Sequence, residues 1–290
     1  MIDLQINGRA TPELRDVFLK RHPQYANIPQ TFCDATGQTF DWENLTKPNL
    51  HDFTQLLKER VAPNTARTYC KWIKSILSLY NETEDIPAGW NTALTLRGDT
   101  SQAVYLCEDE IRSLMKLKLC EGTQKSIVRD LFVLGCLTGA RQSDFRQFTK
   151  ENIMNGRIIY VSEKTHREAE VPVSPAVLRI LEGRRAVLLS TPITRAQFNR
   201  VLRILCQEAG IEKRMKLYNR GVTRICPKWK YVASHTARRS FATNLYLRGA
   251  GLYDIMSMMG HSDTEMTKRY ICCGLRELPK EAMAYFNNYK

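Results

Sequence analysis

The spacing of apolar residues predicts a chain built mainly of helices. The clearest case is residues 64–80, where apolar side chains recur every three or four positions and charged ones fall between them. The apolar stripe comprises Tyr69, Ile73, Ile76, Leu77 and Tyr80, and the opposite face carries Arg67, Lys71, Lys74 and Ser78. The pattern indicates an amphipathic helix with one buried and one basic face, for which Asn64 or Thr65 is the expected cap.

The residues before this helix have weaker patterns. A short helix is predicted from Thr11, as its cap, to about residue 22. Residues 25–48 alternate turn residues with aromatic ones, and no regular element is predicted there. A further helix is expected over residues 49–60, with Asn49 as its cap.

Periodicity is lost after residue 80, where proline and glycine become frequent. We therefore expect a first domain over residues 1–85, a linker over 86–104 and a second domain over 105–290. In the second domain, residues 127–137 are apolar nearly all round, so they should form a central buried helix.

One short region of the second domain has the period-two alternation of strands. Residues 157–161 and 170–173 alternate apolar and polar positions, and residues 164–167 between them are typical of a turn. The pattern is helical from residue 175 to the end, except for a basic loop over residues 214–232. The predicted fold class is mainly α with a small antiparallel β-sheet.

Composition adds a marked excess of positive charge. The chain has 290 residues, 43% of them hydrophobic, and its formal net charge is +13. Residues 201–290 hold sixteen Lys and Arg against seven Asp and Glu, which is most of this excess. A charge of this size favours a polyanionic partner, and nucleic acid is the natural one.

The densest positive segment spans residues 212–232. A solvated surface alone would explain its charges, but the interleaved Tyr218, Trp229 and Tyr231 favour a nucleic-acid surface, because aromatic rings can pack on sugars or bases. The predicted DNA-binding residues of this segment are Lys213, Arg214, Lys216, Arg220, Arg224, Lys228 and Lys230, and those of the amphipathic helix are Arg67, Lys71 and Lys74.

The nine cysteines indicate a reducing compartment. No Cys-x-x-Cys pair occurs, so no zinc site is expected. Neither a signal peptide nor an apolar run long enough to cross a bilayer is present. We expect free thiols, a cytoplasmic protein and no membrane partner.

Two arginines and two histidines suit the stabilisation of a phosphate under attack. Arg141 follows the small residues Thr138-Gly139-Ala140, and Asp144 is expected to anchor it. His235 and Arg238 lie three positions apart, on one face of a helix start. Gly260 is a natural helix terminator that would present His261 to the same pocket as a second donor.

Tyr270 and Lys164 complete a set able to break a phosphodiester bond without a metal. Eight residues separate His261 from Tyr270, the candidate nucleophile, whose phenol needs nearby positive charge because its ordinary pKa is about 10. Lys164, in the predicted turn, is the candidate general acid, with Lys150 and His166 as weaker rivals.

The order Arg…Lys…His-x-x-Arg…Gly-His…Tyr, from Arg141 to Tyr270, resembles the tyrosine recombinase (phage integrase) family over residues 105–271. Arg239 departs from the family pattern, since many relatives have histidine there. The resemblance implies a two-domain DNA clamp, in which an N-terminal helical core DNA-binding domain precedes a catalytic domain with the DNA breaking-rejoining fold.

The resemblance also implies an activity, site-specific recombination or integration. Tyr270 would attack a DNA phosphodiester to give a 3′-phosphotyrosine, and Lys164 would protonate the departing 5′ oxygen. Neither ATP, metal nor another cofactor would be required. Double-stranded DNA, further copies of the chain in a tetramer on paired sites, and accessory DNA-bending proteins are the expected partners, at the bacterial nucleoid.

Two other functions stay open on the residues alone. A type IB topoisomerase uses much the same side chains, and a DNA-binding protein could keep the fold without cleaving. Residues 278–290, with the apolar stripe Ala282, Met283, Tyr285 and Phe286, are predicted to form a tail helix. This helix would pack on its own domain or, as in family members, dock on a neighbouring protomer.

Overall fold

The computed structural model describes residues 12–82, 86, 88–98, 103–190, 192–219 and 222–272. The chain divides into two compact units, Met1–Ser101 with Tyr218–Val222, and Gln102–Leu217 with Thr223–Lys290. The described part is mostly helical, with one three-stranded and one two-stranded sheet, which confirms the predicted fold class. No helix within these ranges is long and apolar enough to span a membrane.

The first unit is a helical bundle around an aromatic-rich core. Its helices are α1 (Leu14–Arg21), α2 (Asn27–Thr36), α3 (Lys47–Arg60), α4 (Pro63–Tyr80) and α5 (Trp90–Ala93). Residue Thr11 lies outside the described residues. The helix α2 was not predicted, because it is only ten residues long and Pro29 interrupts its pattern. Ile28 and Phe32 are nevertheless fully buried. Gly37, with φ +69°, ends it in the left-handed conformation that glycine tolerates.

Two predicted helix starts were wrong by a few residues. The helix α3 begins at Lys47, because the Thr46 hydroxyl accepts from the backbone N–H of Asn49. The helix α4 begins at Pro63, after Ala62 and without a side-chain cap, since the fixed φ of proline suits a first helical position. Both differences lengthen helices whose faces are as predicted.

Part of the expected linker packs on the first unit. Leu94, just after α5, is 1% exposed and joins the core of this unit, with Trp90 and Leu96 packed against it. The Lys74 ammonium of α4 donates to Asn91 Oδ1 at 2.6 Å and to the Thr95 hydroxyl. This segment is therefore held to α4 along its length.

The second unit is built around one buried helix. Its helices are α6 (Glu108–Lys116), α7 (Gln124–Thr138), α8 (Gln142–Phe145), α9 (Pro175–Ser190), α10 (Arg195–Glu208), α11 (Ser234–Leu247), α12 (Leu252–Met258) and α13 (Thr264–Lys268). The helix α7 is buried along nearly its whole length, as predicted. Gly135 lets α11 approach closely, since a Cβ there would lie 3.0 Å from that of Ala237.

The three-stranded sheet consists of β1 (Ile153–Met154), β2 (Arg157–Val161) and β3 (Glu168–Pro172) in antiparallel order. Tyr160 pairs with Ala169, and the turn closes with a Ser162 N–H bond to the Arg167 carbonyl at 2.8 Å. The predicted antiparallel pair is confirmed, although β3 begins two residues earlier than expected. The predicted basic loop is partly wrong, because β4 (Arg214–Asn219) and β5 (Val222–Pro227) form a hairpin there.

Candidate active site

Arg141 is positioned by the end of α7. Gly139, with φ +66°, ends that helix, and a side chain there would overlap the Phe241 ring. The chain then turns so that Arg141 precedes α8, and its Nη1 donates to Ser162 Oγ at 2.7 Å. The first turn after the buried helix thus fixes one guanidinium against the end of β2.

Asp144 anchors Arg141 through a third residue and not by the direct pairing that we expected. Ser162 donates from Oγ to Asp144 Oδ2 at 3.0 Å, while Oδ1 accepts the backbone N–H of Glu163 at 3.1 Å. Asp144 and Ser162 are both buried. The carboxylate therefore holds the start of the β2–β3 turn and, through the serine hydroxyl, the arginine.

Arg238 is the most deeply buried charge of the site, with 1% of its surface exposed. Its Nη1 donates to the Gly139 carbonyl at 2.5 Å and its Nη2 to the Met259 carbonyl at 3.2 Å. Nη2 also lies 2.5 Å from His261 Nε2. Burial lowers the pKa of Arg238, and the nearby Tyr270 opposes that effect. The guanidinium is thus fixed between the end of α7 and the end of α12.

His261 is held as a neutral imidazole with a defined tautomer. Because a guanidinium only donates, Nε2 must accept from Arg238, so Nδ1 carries the proton and donates to Thr267 Oγ1 at 3.0 Å. Burial, with the charges of Arg238 and Arg141, lowers the pKa of His261 to about 4. Both nitrogens are thus engaged, and the predicted second donor to phosphate is an acceptor for Arg238 in this arrangement.

Tyr270 follows the short helix α13 and lies against both of these residues. Its ring stacks on that of His261, with centroids 5.2 Å apart and planes 28° from parallel. The guanidinium carbon of Arg238 lies 5.1 Å from the centroid of the same ring. Thr267 holds the backbone, since its carbonyl accepts the Tyr270 N–H at 2.9 Å. The candidate nucleophile is thus in contact with two of the predicted catalytic residues.

His235 lies at the start of α11, on the same face as Arg238 but exposed at the surface. Partial desolvation and the positive charges of Arg195, Arg239, Arg238 and Lys164 lower its pKa to about 4. The imidazole is therefore unprotonated at ordinary pH and can accept a proton, but a pKa this low also makes it a weak base. Lys164 is exposed in the β2–β3 turn, and its positive charge contributes to the lowered pKa of His235.

The structure therefore brings Arg141, Arg238, His261 and Tyr270 together and leaves His235 and Lys164 at the rim. The rival Lys150 lies 3.8 Å from Glu182, and His166 adopts a left-handed conformation, with φ +51°, in the turn. Sequence reasoning missed Ser162 and Thr267. The period of β2 was the available signal for Ser162, since alternation puts Ile158, Tyr160 and Ser162 on its buried face.

The predicted DNA-binding cations differ in their exposure. Arg67 and Lys71 are exposed on α4, whereas Lys74 is half-buried and donates to Asn91 and Thr95. Arg220 lies outside the described residues. In and around the β4–β5 hairpin, the exposed members of the predicted set are Lys213, Arg214, Lys216, Arg224 and Lys230.

Lys228 must be withdrawn from that set. It is only 7% exposed, its ammonium lies 2.6 Å from Glu110 Oε2, and it sits 5.2 Å from the centroid of the Tyr105 ring. Its charge is neutralised inside the second unit. Glu110 also caps the start of α6 through the Cys107 N–H, so this ion pair stabilises the fold.

Comparison with known proteins finds relatives of this chain among integrases and tyrosine recombinases. The chain is 25% identical to the integrase of Escherichia phage P2 over 175 residues, which are 60% of this chain and 44% of that protein. It is 32% identical to tyrosine recombinase XerD of Staphylococcus epidermidis over 170 residues, or 56% of this chain and 55% of that one. The chain thus spans about half the length of these two relatives.

The fold agrees with that of a solved recombinase. Residues 75–356 of lambda integrase, in a dimer bound to a COC′ core site, superpose with a TM-score of 0.66 at 14% identity, covering 93% of this chain and 99% of that one. Residues 105–273, more than half of the chain, match the phage integrase family. This match spans the candidate site from Arg141 to Tyr270, and the chain therefore belongs to the phage integrase family.

Proposed function

We propose that this protein is a site-specific DNA recombinase that cleaves and rejoins DNA through a 3′-phosphotyrosine on Tyr270. The observation that carries the proposal is the contact of the Tyr270 ring with His261, at 5.2 Å between centroids, and with the Arg238 guanidinium, at 5.1 Å. The named activities of the relatives, an integrase and a tyrosine recombinase, support the same reaction.

The reaction requires charge neutralisation before bond formation. Arg141 and Arg238 supply two guanidinium groups for the non-bridging oxygens, whose negative charge grows as the phenol oxygen attacks phosphorus. The bond that forms joins Tyr270 Oη to phosphorus, and the bond that breaks joins phosphorus to the 5′ oxygen. The bond energy is kept in the phosphotyrosine, so the 5′ hydroxyl of a partner strand can reverse the step without ATP, metal or another cofactor.

Two proton transfers accompany this exchange. His235, which is unprotonated at its pKa of about 4, accepts the phenol proton. The negative charge of the bound phosphate raises this pKa and strengthens the base. Lys164 donates a proton to the departing 5′ oxygen, and its exposed position in the turn leaves its ammonium accessible to DNA. His261 accepts a hydrogen bond from Arg238 at Nε2 and so orients the guanidinium. His261 can donate to phosphate only if this bond breaks and Nε2 takes up a proton.

DNA binding is assigned to two exposed basic surfaces, one on each compact unit. Arg67 and Lys71 of α4 form the first. The five exposed cations in and around the β4–β5 hairpin form the second. Phosphate contacts of this kind supply affinity without reading sequence. We further propose that four copies assemble on two paired sites and that accessory DNA-bending proteins assist them.

The decisive test is the variant Tyr270→Phe, which removes the phenol oxygen and keeps the ring. We expect DNA affinity within about twofold of the wild type and no covalent complex on a denaturing gel with nicked target DNA, since one oxygen contributes little to a phosphate-dominated affinity. A covalent band in the variant would identify another nucleophile. Relaxation of any supercoiled plasmid, in place of exchange only between paired sites, would indicate a topoisomerase.

A further inference from the structure

Tyr160 has a buried hydroxyl without a role in the site described so far. Its side chain is 7% exposed, on the inner face of β2, and the Phe148 ring packs edge-on against it at 4.9 Å between centroids. The Tyr160 hydroxyl has no well-aligned hydrogen-bond partner among the residues that the structure describes. Because buried polar atoms are nearly always bonded, such an orphan calls for an explanation.

The surroundings of Tyr160 are those of the active site. Ser162, two residues further on the same face of β2, donates to Asp144 and accepts from Arg141. Ala169, which pairs with Tyr160 across the sheet, abuts Gly260, where an added Cβ would lie 3.4 Å from the Ala169 methyl. Gly260 directly precedes His261. The phenol therefore lies between the two elements that carry Arg141 and His261.

A matching orphan belongs to Arg238. Its two terminal nitrogens bond Gly139, Met259 and His261, but its Nε is buried without a hydrogen-bond partner in the described part of the chain. Arg238 lies close enough to Tyr160 for its charge and a side-chain hydrogen bond to lower the pKa of the phenol, against the larger raising effect of burial. An Nε–H group can only donate and a phenol oxygen can accept, so the two unpaired atoms are complementary.

We propose that Tyr160 is a positioning residue of the recombinase site, whose hydroxyl accepts a hydrogen bond from Nε of Arg238 and fixes the guanidinium plane when the scissile phosphate binds. The proposal rests on the proposed function, since it concerns the same cleavage step. In the structure the two side chains interact, but neither Tyr160 Oη nor Arg238 Nε has a well-aligned hydrogen bond. Binding of phosphate to Arg141 and Arg238 closes the bond, so that it forms where charge develops.

The phenol of Tyr160 is distinct from the nucleophile. Burial raises the pKa of Tyr160 to about 12, against the opposing charges of Arg238 and Arg141. Its hydroxyl therefore keeps its proton over the working pH range and does not compete with Tyr270. The proton can serve a second bond, while the oxygen lone pair stays available to Arg238.

The test is Tyr160→Phe, which removes one oxygen atom. We expect covalent complex formation to slow about ten- to a hundredfold, because a hydrogen bond to a charged group is lost in the transition state. DNA affinity should stay within about twofold of the wild type. The Tm of the DNA-free protein should stay equal or rise, because an unpaired buried hydroxyl is unfavourable. A residue that only packs would lower cleavage and Tm together.

A modified substrate tests the link to Arg238. A methylphosphonate at the scissile position lacks one of the negative charges that the arginines neutralise, so on this substrate the Tyr160→Phe defect should shrink to less than about threefold. The defects of Tyr160→Phe and Arg238→Lys should also be strongly non-additive on the normal substrate.

Two matched variants complete the design. Tyr246→Phe removes the hydroxyl of another half-buried tyrosine of the same unit and should cleave at the wild-type rate. Phe148→Leu loosens the packing of Tyr160 but keeps its hydroxyl, so it should lower the Tm without a defect that methylphosphonate relieves. Wild-type cleavage by Tyr160→Phe, or a defect of equal size on both substrates, would overturn the positioning role. Tyr270-dependent covalent complexes in the wild type would still support the proposed function.

Discussion

At the residue scale, His261 shows how a site can fix its own protonation state. Arg238 donates to one ring nitrogen and Thr267 accepts from the other, so the neutral form satisfies every group. Protonation would put two donors against each other inside a buried cluster. The low pKa of His261, about 4, follows from burial and from the charges of Arg238 and Arg141.

This arrangement makes stability depend on pH. The unfolded chain takes up a proton on His261 near pH 6.5, whereas the folded protein does so only near pH 4, so stability is full above pH 6.5 and is lost as the pH falls towards 4. Between pH 7 and 4.5, urea unfolding should show a loss of about 2–3 kcal/mol from this residue. His261→Gln should reduce the loss by that amount, and His166→Gln in the exposed turn should not. Parallel pH curves for wild type and His261→Gln would rule out this role.

Lys164 and Arg141 should differ in their response to a leaving group that needs no proton. Lys164→Ala should slow cleavage about a hundredfold if the lysine is the general acid. A substrate with sulfur in place of the 5′ bridging oxygen should restore most of that rate, because a thiolate leaves unprotonated. Arg141→Ala should not be restored, since its partner is the non-bridging charge. Equal responses of both variants in single-turnover assays would make Lys164 another phosphate contact.

The order of the site residues, through its resemblance to a family pattern, singled out candidates such as Tyr270, and it missed side chains that depend on a distant partner. Tyr270 was singled out among twelve tyrosines by its distance from His261. Tyr160 looked like any strand residue, because its neighbour Arg238 is 78 positions away. Lys228 failed for the same reason, since a count of charges cannot include Glu110, 118 positions upstream.

At the element scale, helix faces were predictable and helix ends were not. The buried stripe of α4 followed directly from its period, with Ile73, Ile76 and Leu77 all fully buried. The ends depended on local choices between competing caps, as at Thr46 and Asn49. The β4–β5 hairpin was predicted as a loop because its cations masked the inward positions Met215 and Leu217.

The basic face of α4 supports a test in which the half-buried Lys74 is the control for the exposed Arg67 and Lys71. Wild-type affinity should fall on the order of a thousandfold between about 50 and 200 mM salt if six or more phosphates are neutralised. Replacing Arg67 and Lys71 by alanine should reduce the slope of log affinity against log salt by up to about 1.8. Lys74→Ala should leave the slope unchanged, because its ammonium is bonded to Asn91 and Thr95. An unchanged slope in the double variant would remove α4 from the DNA interface.

At the scale of the whole molecule, the end of the described chain is tied to the helix that carries part of the candidate site. The Thr243 hydroxyl donates to the Tyr270 carbonyl at 3.3 Å. The same hydroxyl oxygen, Thr243 Oγ1, accepts the N–H of Cys272 at 3.0 Å. Thr243 belongs to α11, the helix that carries His235 and Arg238. The backbone on both sides of Tyr270 is therefore anchored, through Thr267 before it and Thr243 after it.

Through this anchoring, the C-terminal residues could act on the candidate nucleophile, Tyr270. Residues 278–290 lie outside the described part of the chain, and the prediction that they dock on a neighbouring protomer stays a prediction. If they do, any displacement of these residues reaches Tyr270 through the Thr243 contacts, which couples assembly to cleavage.

Deleting residues 278–290 should leave affinity for a single site within about twofold, because the basic surfaces remain. Complexes on two-site DNA and strand exchange should be lost. The double variant Tyr285→Ser, Phe286→Ser, which keeps the length and charge of the tail, should reproduce the loss, and Asn287→Ser should not. Native gels with one-site and two-site DNA measure each step, and normal assembly by the truncated protein would exclude docking in trans.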